Sequence, residues 1–285
     1  MTEPVVLPDF TSFGDQALKG LESPEEATAA TQALLKEDRN SGEPTVSNPG
    51  ECHLTLERGI CREGTWYRDA EVKELTGADE EAIAAAGSSS YRVFETLLLR
   101  GVRTVGAEFM NRKLASELLI GDREFLVMAI RRATFGNDLE FEELPCPHCE
   151  ELVDLTVPLD AIPFTHLDHP EQTEYDVPLR RGAVAVVRLP TGDDQAAVLA
   201  IKDGNAARQD SEILGRCVLR VRDADGTVTR RPPATSLFMG DRKAILKFLA
   251  DTQPGPRYGD FSFTHDTCGK EVPLPISLAV LFRGM

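Results

Sequence analysis

The chain has 285 residues, with 31 Lys and Arg against 47 Asp and Glu, for a formal net charge of −16. So acidic a balance argues against sequence-independent nucleic-acid binding, which needs a basic face. No apolar run approaches the roughly 18–20 residues that span a bilayer, so no membrane contact is expected. The first ten residues show neither the basic nor the apolar region of an export signal. Six cysteines are too sparse for a secreted disulfide scaffold and suit a reducing cytosol, where close cysteine pairs bind metal or do redox chemistry.

Residues 1–50 hold nine acids against three bases and are rich in Pro, Ser and Thr. Residues 1–48 read as an acidic flexible arm that cannot bury a core alone and is suited to ordering on a partner. Inside it, Ser23-Pro24-Glu25-Glu26 is a capping box, and the Ala/Leu run to Leu35 would continue that helix. Residues 49–119 read as a β-hairpin plus helices. Cys52, Leu54, Leu56, Trp66 and Val72 alternate about a turn at Glu63-Gly64. Thr76 caps a helix over Asp79–Ala86, a second runs from Tyr91 to Arg100 and stops at Gly101, and 107–119 look helical again.

A duplication follows. Ile120-Gly121-Asp122-Arg123 returns as Met239-Gly240-Asp241-Arg242. Each Asp reads as an N-cap and each helix as ending at a glycine, Gly136 and Gly255. In the same register Cys146-Pro147-His148-Cys149 falls on His265-Asp266-Thr267-Cys268. Val153, Leu155, Val157 and Leu159 fall on Val272, Leu274, Ile276 and Leu278, one alternating strand per copy. The expected fold is α+β: a duplicated helix–zinc-knuckle–strand module, zinc-ribbon-like, over 120–160 and 235–285. An inserted α/β segment occupies 161–234, and the N-terminal arm precedes the whole. Within the insert a hairpin over Tyr175–Leu189, a helix after Thr191, a helix over Asp210–Val221 and a hairpin turn at Asp223–Gly226 are expected.

Two ligands two residues apart can share one ion in a tight turn, and two such turns complete a tetrahedron of the Cys and His donors that zinc prefers. The candidate set is Cys146, Cys149, His265 and Cys268, one structural zinc per chain. Four protein ligands leave no open position for an activated water. Asp266 could stand in for His265, and the close pair His166 and His169 offers a competing Cys₂His₂ set with Cys146 and Cys149. Alternatively the second knuckle binds nothing. Cys217 reads as a small buried hydrophobe. No nucleophile elbow, phosphate loop, dinucleotide fingerprint or zincin motif is present, and none of the five histidines joins a nucleophile motif.

The order of a GDR helix, a Cys-Pro-His-Cys knuckle with its strand, an α/β segment, a second GDR helix and a second knuckle resembles the baseplate proteins of T-even-like contractile phages and of phage-tail-like contractile injection systems. The resemblance covers roughly residues 50–285. That family's second knuckle is usually Cys-x-x-Cys, where this chain has His265 and Cys268. The resemblance implies a structural or assembly role near the baseplate hub, partners among hub, spike and other baseplate proteins, and no enzymatic activity. It implies residence in the cytoplasm, assembled into a tail particle. A non-incorporated assembly factor and a zinc-ribbon nucleic-acid-binding module are the alternatives.

Overall fold

A computed structural model describes residues 52–87, 89–201, 205–274 and 276–282, all within the unit Pro49–Met285. The arm and its capped helix lie outside the described residues.

β1 (Cys52–Arg62) and β2 (Thr65–Val72) pair antiparallel about the predicted turn. The ladder slips between Thr55 and Ile60, so Leu56–Gly59 bulge out of β1. Gly59 has φ +69°, and a Cβ there would meet the Tyr67 carbonyl oxygen at 2.1 Å, so no other residue fits. α1 (Gly77–Ala85) starts at Thr76, whose N–H and hydroxyl both donate to the Asp79 carboxylate at 3.0 and 2.9 Å. α2 (Ser90–Gly101) runs straight into β3 (Val102–Val105), which pairs with β4 (Glu108–Phe109). Gly101 is therefore not a left-handed stop. Its role is close packing, because a Cβ there would lie 2.6 Å from Ile130 Cδ1. The stretch 107–119, expected to be helical, opens with β4 and only then forms α3 (Arg112–Glu117), capped by Asn111.

α4 (Ile120–Phe135) is deeply enclosed: Leu126, Val127, Met128, Ala129 and Ile130 are all buried. β5 (Asp138–Pro145) and β6 (Leu152–Pro158) form a hairpin, and β7 (Phe164–Thr165) follows.

The segment expected as an insert repeats the first half. β8 (Tyr175–Pro178), β9 (Val184–Val187), α5 (Gly192–Leu199), α6 (Ala206–Cys217), β10 (Val218–Arg222) and β11 (Val228–Arg230) follow the order of β1 to β4 with their two helices. The two four-stranded sheets have the same neighbour order, β1-β2-β3-β4 and β8-β9-β10-β11. The correspondence extends to single bonds. Thr191 caps α5 through Asp194 as Thr76 caps α1 through Asp79. Lys73 Nζ reaches Asp79 at 2.8 Å, and Arg188 Nη1 reaches Asp194 at 2.6 Å. Arg100 and Arg216 approach the same two carboxylates at 3.8 and 2.8 Å. The Lys73 N–H donates to the Gly101 carbonyl at 2.8 Å, and the Arg188 N–H to the Cys217 carbonyl at 2.9 Å. The repeated elements thus run from Tyr175 to Arg230, through most of the segment expected as an insert. The helix expected over Asp210–Val221 stops at Cys217, because Val218–Val221 join the ladder beside β9. An apolar run buried in a sheet lacks the alternation that marks a half-exposed strand.

α7 (Met239–Thr252) is the second GDR helix, followed by β12 (Gly255–Pro256), the hairpin β13 (Ser262–Thr264) and β14 (Glu271–Pro273), and α8 (Leu278–Leu281). α4 ends at Gly136, with φ +84°, as expected, but α7 ends at Gln253 and Gly255 lies beyond it in β12. The second strand is also shorter than its alternation suggests: Val272, Leu274 and Ile276 stay buried in phase, yet only 271–273 pair.

Asp122 and Asp241 are not N-caps. Each is the third residue of its helix and turns outward to another segment. Asp122 accepts from the N–H groups of Glu57, Arg58 and Gly59 at 2.8, 3.1 and 2.9 Å, filling the concave face of the β1 bulge. Asp241 accepts from the Arg180 N–H at 3.0 Å, in the loop joining β8 and β9. Each GDR helix so holds the hairpin that opens its own copy.

Apolar residues gather into two cores. One lies under the first sheet and both knuckle hairpins, from Leu56 to Phe282, and the other lies between the second sheet and α6 and α7. At the edge of the second, burial opposes the Asp194 charge, but Arg188, the Thr191 N–H and Arg216 overcome it and hold the carboxyl down to about 2. The group is depressed below its ordinary 3.8, so its stabilisation is present above that pH and fades as pH falls toward 2. We expect Asp194→Asn to cost about 2 kcal/mol in urea unfolding at pH 7, with the gap narrowing below about pH 4. A pH-independent gap would contradict this account.

Candidate metal centre

Both knuckles are turns at the tips of hairpins. β5 and β6 present Cys146 and Cys149, and β13 and β14 present His265 and Cys268. The neighbouring strands keep the predicted register: Pro145 pairs with Leu152 and Leu144 with Val153, as Thr264 pairs with Glu271 and Phe263 with Val272. The tips share one backbone pattern. The Cys146 N–H donates to the Glu151 carbonyl at 2.9 Å, and the Glu150 N–H to the Cys146 carbonyl at 2.9 Å. In the second tip the His265 N–H donates to Lys270 at 2.9 Å and the Gly269 N–H to His265 at 2.7 Å. Glu150 and Gly269 share the left-handed conformation that closes the turn, at φ 61° and 65°.

The tips meet. The ligand atoms of Cys146, Cys149, His265 and Cys268 all lie within 4.8 Å of one another. Cys146 Sγ is 3.8 Å from Cys268 Sγ, and His265 Nδ1 is 3.3 Å from both Cys149 Sγ and Cys268 Sγ. A tetrahedral zinc with bonds of about 2.3 Å to sulfur and 2.0–2.1 Å to nitrogen has edges of about 3.8 Å and 3.6 Å, so the donors stand at a spacing that can hold such an ion. Cys146 and His265 are buried, Cys268 is partly covered and Cys149 is exposed. Burial opposes ionisation of Cys146, but the N–H groups of His148 and Cys149 and the adjacent thiols lower its thiol to about 6, close to the thiolate that a metal requires. Cys149 is pushed the other way: the Glu151 N–H favours its thiolate, but partial desolvation and the Cys146 and Cys268 sulfurs outweigh it. His265 turns Nε2 toward the Glu151 carboxylate at 4.0 Å, leaving Nδ1 for the cluster.

The competing ligands are elsewhere. His166 Nδ1 bonds Glu57 Oε1 at 2.9 Å and His169 faces Glu171 at 3.9 Å, so neither joins Cys146 and Cys149. Asp266 is exposed and outside the cluster. His148 contributes differently: its Nε2 lies 3.2 Å from the Glu271 carbonyl, a bond from one hairpin to the other. No residue pattern distinguished that role from an ordinary turn histidine. Cys217 is fully buried, and burial pushes its thiol up to about 12. Cys217→Ser should lower the melting temperature by leaving a hydroxyl in an apolar core, with metal content unchanged. Loss of metal in that variant would show the ligand set to be wrong.

No helix among the described residues is long and apolar enough to cross a membrane. No curated protein and no solved structure is significantly similar to the chain. One family model, described as "T4 bacteriophage base plate protein", matches residues 72–231, from the end of the first hairpin through β11. The match takes in the first knuckle and stops before the second. Covering more than half of the sequence, it shows that the chain belongs to the T4 baseplate protein family.

Proposed function

We propose that the chain is a structural component of the baseplate of a contractile phage tail or contractile injection system, close to the hub, and that one zinc ion held by Cys146, Cys149, His265 and Cys268 locks its two copies together. The family supports a baseplate protein with tail proteins as partners. The observation that carries the zinc reading is the two-and-two division of the donors between hairpins of opposite copies at tetrahedral spacing. A closed four-ligand site supplies folding free energy and no reactive position, so no enzymatic activity is assigned.

Mass spectrometry of purified tail particles tests the role. Stoichiometric presence beside sheath, tube and spike proteins is expected. Presence in assembly intermediates alone would make the chain an assembly factor. The arm enters the same assay. Deleting residues 1–48 should leave the metal content and melting temperature of the remainder intact while lowering incorporation, because an acidic, aromatic-poor segment gains its apolar contacts from a partner. Equal incorporation would reduce the arm to a solvated tail.

A further inference from the structure

An apolar groove follows α2, with α8 along one side. Its two lobes, of about 320 and 270 Å³, meet at Ser90 and Leu278. Ile83, Ala84, Val93, Leu97 and Phe282 wall the first. Tyr91, Phe94, Val127, Leu199 and Tyr258 wall the second. Leu199 is half exposed at the mouth, and Ala84 and Ala279 offer no polar atom where a solvated wall would carry one. Among the described lining residues the charged ones are both acids, Glu80 in one lobe and Glu124 in the other.

Glu124 is the telling residue. Its carboxyl makes no hydrogen bond or ion pair with any described residue. The two guanidinium groups near it bond other residues, with only Arg123 Nε left unpartnered among the described residues. Arg257 donates to Thr165 Oγ1 and to the carbonyls of Ala250, Asp251 and Gln253. Arg123 bonds Gln195 Oε1 at 2.5 Å and stacks on Phe94 at 5.1 Å. The Tyr258 hydroxyl donates to the Glu124 backbone carbonyl at 3.3 Å, not to its carboxyl. Burial raises the carboxyl to about 7 against the pull of Arg257 and Arg123. A carboxyl in an apolar wall without a partner is costly, and a cation brought by a ligand would offset that cost.

We infer that this groove is the docking site for an amphipathic helix of another protein, whose apolar side chains fill the two lobes and whose Lys or Arg pairs with Glu124. A basic partner suits both the one acid in each lobe of the groove and the net charge of −16.

The test uses the purified full-length chain and two fluorescein-labelled synthetic helices of about 14 residues, with leucines at i, i+3, i+4 and i+7. They differ only in carrying Lys or Gln beside the leucine stripe, and are titrated by fluorescence anisotropy. The Lys probe should bind about tenfold tighter than the Gln probe. Glu124→Gln should erase that advantage and leave the Gln probe unaffected. Ala84→Trp, at an exposed helical position and with an unchanged melting temperature, should weaken both. The inference is overturned if neither probe binds, or if the Lys advantage survives Glu124→Gln. It is equally overturned if light scattering shows a dimer of this chain that Ala84→Trp dissociates, since the groove would then belong to a second copy.

Discussion

Replacing Cys149 or Cys268 by serine should strip zinc from the protein and cost about 4 kcal/mol or more of unfolding free energy. The apparent binding free energy of structural zinc in small domains is roughly 10–16 kcal/mol, and it becomes folding free energy when the ligands are assembled only in the native state. Here they come from hairpins far apart in the chain, so the unfolded chain has no preformed site. Elemental analysis should find about one zinc per wild-type chain and less than half of that in either variant. Addition of a chelator to wild type should reproduce the shift. His265→Cys makes a sharper control, since a fourth thiolate is an equally good donor and zinc should be retained. Asp266→Ala, outside the cluster, should change nothing. Wild-type protein prepared without chelator and found free of metal would end the zinc reading.

The duplicated knuckles, and singly the helix starts at Thr76 and Thr191, were legible because each rests on a local rule, whereas the paired GDR aspartates were misread as N-caps. Two donors two residues apart need one tight turn, and a capping Thr followed by Asp needs one helix start. The wider duplication was not legible. Thr76-Gly77-Ala78-Asp79 and Thr191-Gly192-Asp193-Asp194 align at a shift of 115, whereas the GDR helices and knuckles align at 119. A fixed-offset comparison therefore loses the first half of the repeat. What the two halves share there is a bonding pattern, a cation just past the strand and an arginine on the helix meeting one carboxylate, and Lys73 in one copy is Arg188 in the other. β5 and β13 were missed for a different reason. β5 is interrupted by Glu143, which takes φ 51° and donates its N–H to Asp154, and β13 is three residues long. Neither leaves a run long enough for alternation to register.

The two GDR aspartates predict unequal damage from equal substitutions. Asp122→Ala should destabilise the fold by about 4 kcal/mol. It would orphan three successive buried N–H groups, each costing roughly 1–3 kcal/mol less what local relaxation recovers. Those groups belong to a bulge that no other arrangement can satisfy, because Gly59 lies against the Tyr67 carbonyl and the Arg58 side chain is committed to Pro170, Gln172 and Tyr175. Asp122→Asn keeps one carbonyl oxygen but turns an NH₂ group toward N–H donors, so about 2 kcal/mol is expected. Asp241→Ala removes one bond, from the Arg180 N–H, in a loop that can rotate to water, and should cost about 1 kcal/mol. Urea unfolding of the three variants, with zinc content checked to be unchanged, orders them. If Asp241→Ala were as damaging as Asp122→Ala, the aspartates would act through something common to both helices, such as the favourable placement of an acid in the first turn, and the bulge would not be what Asp122 holds.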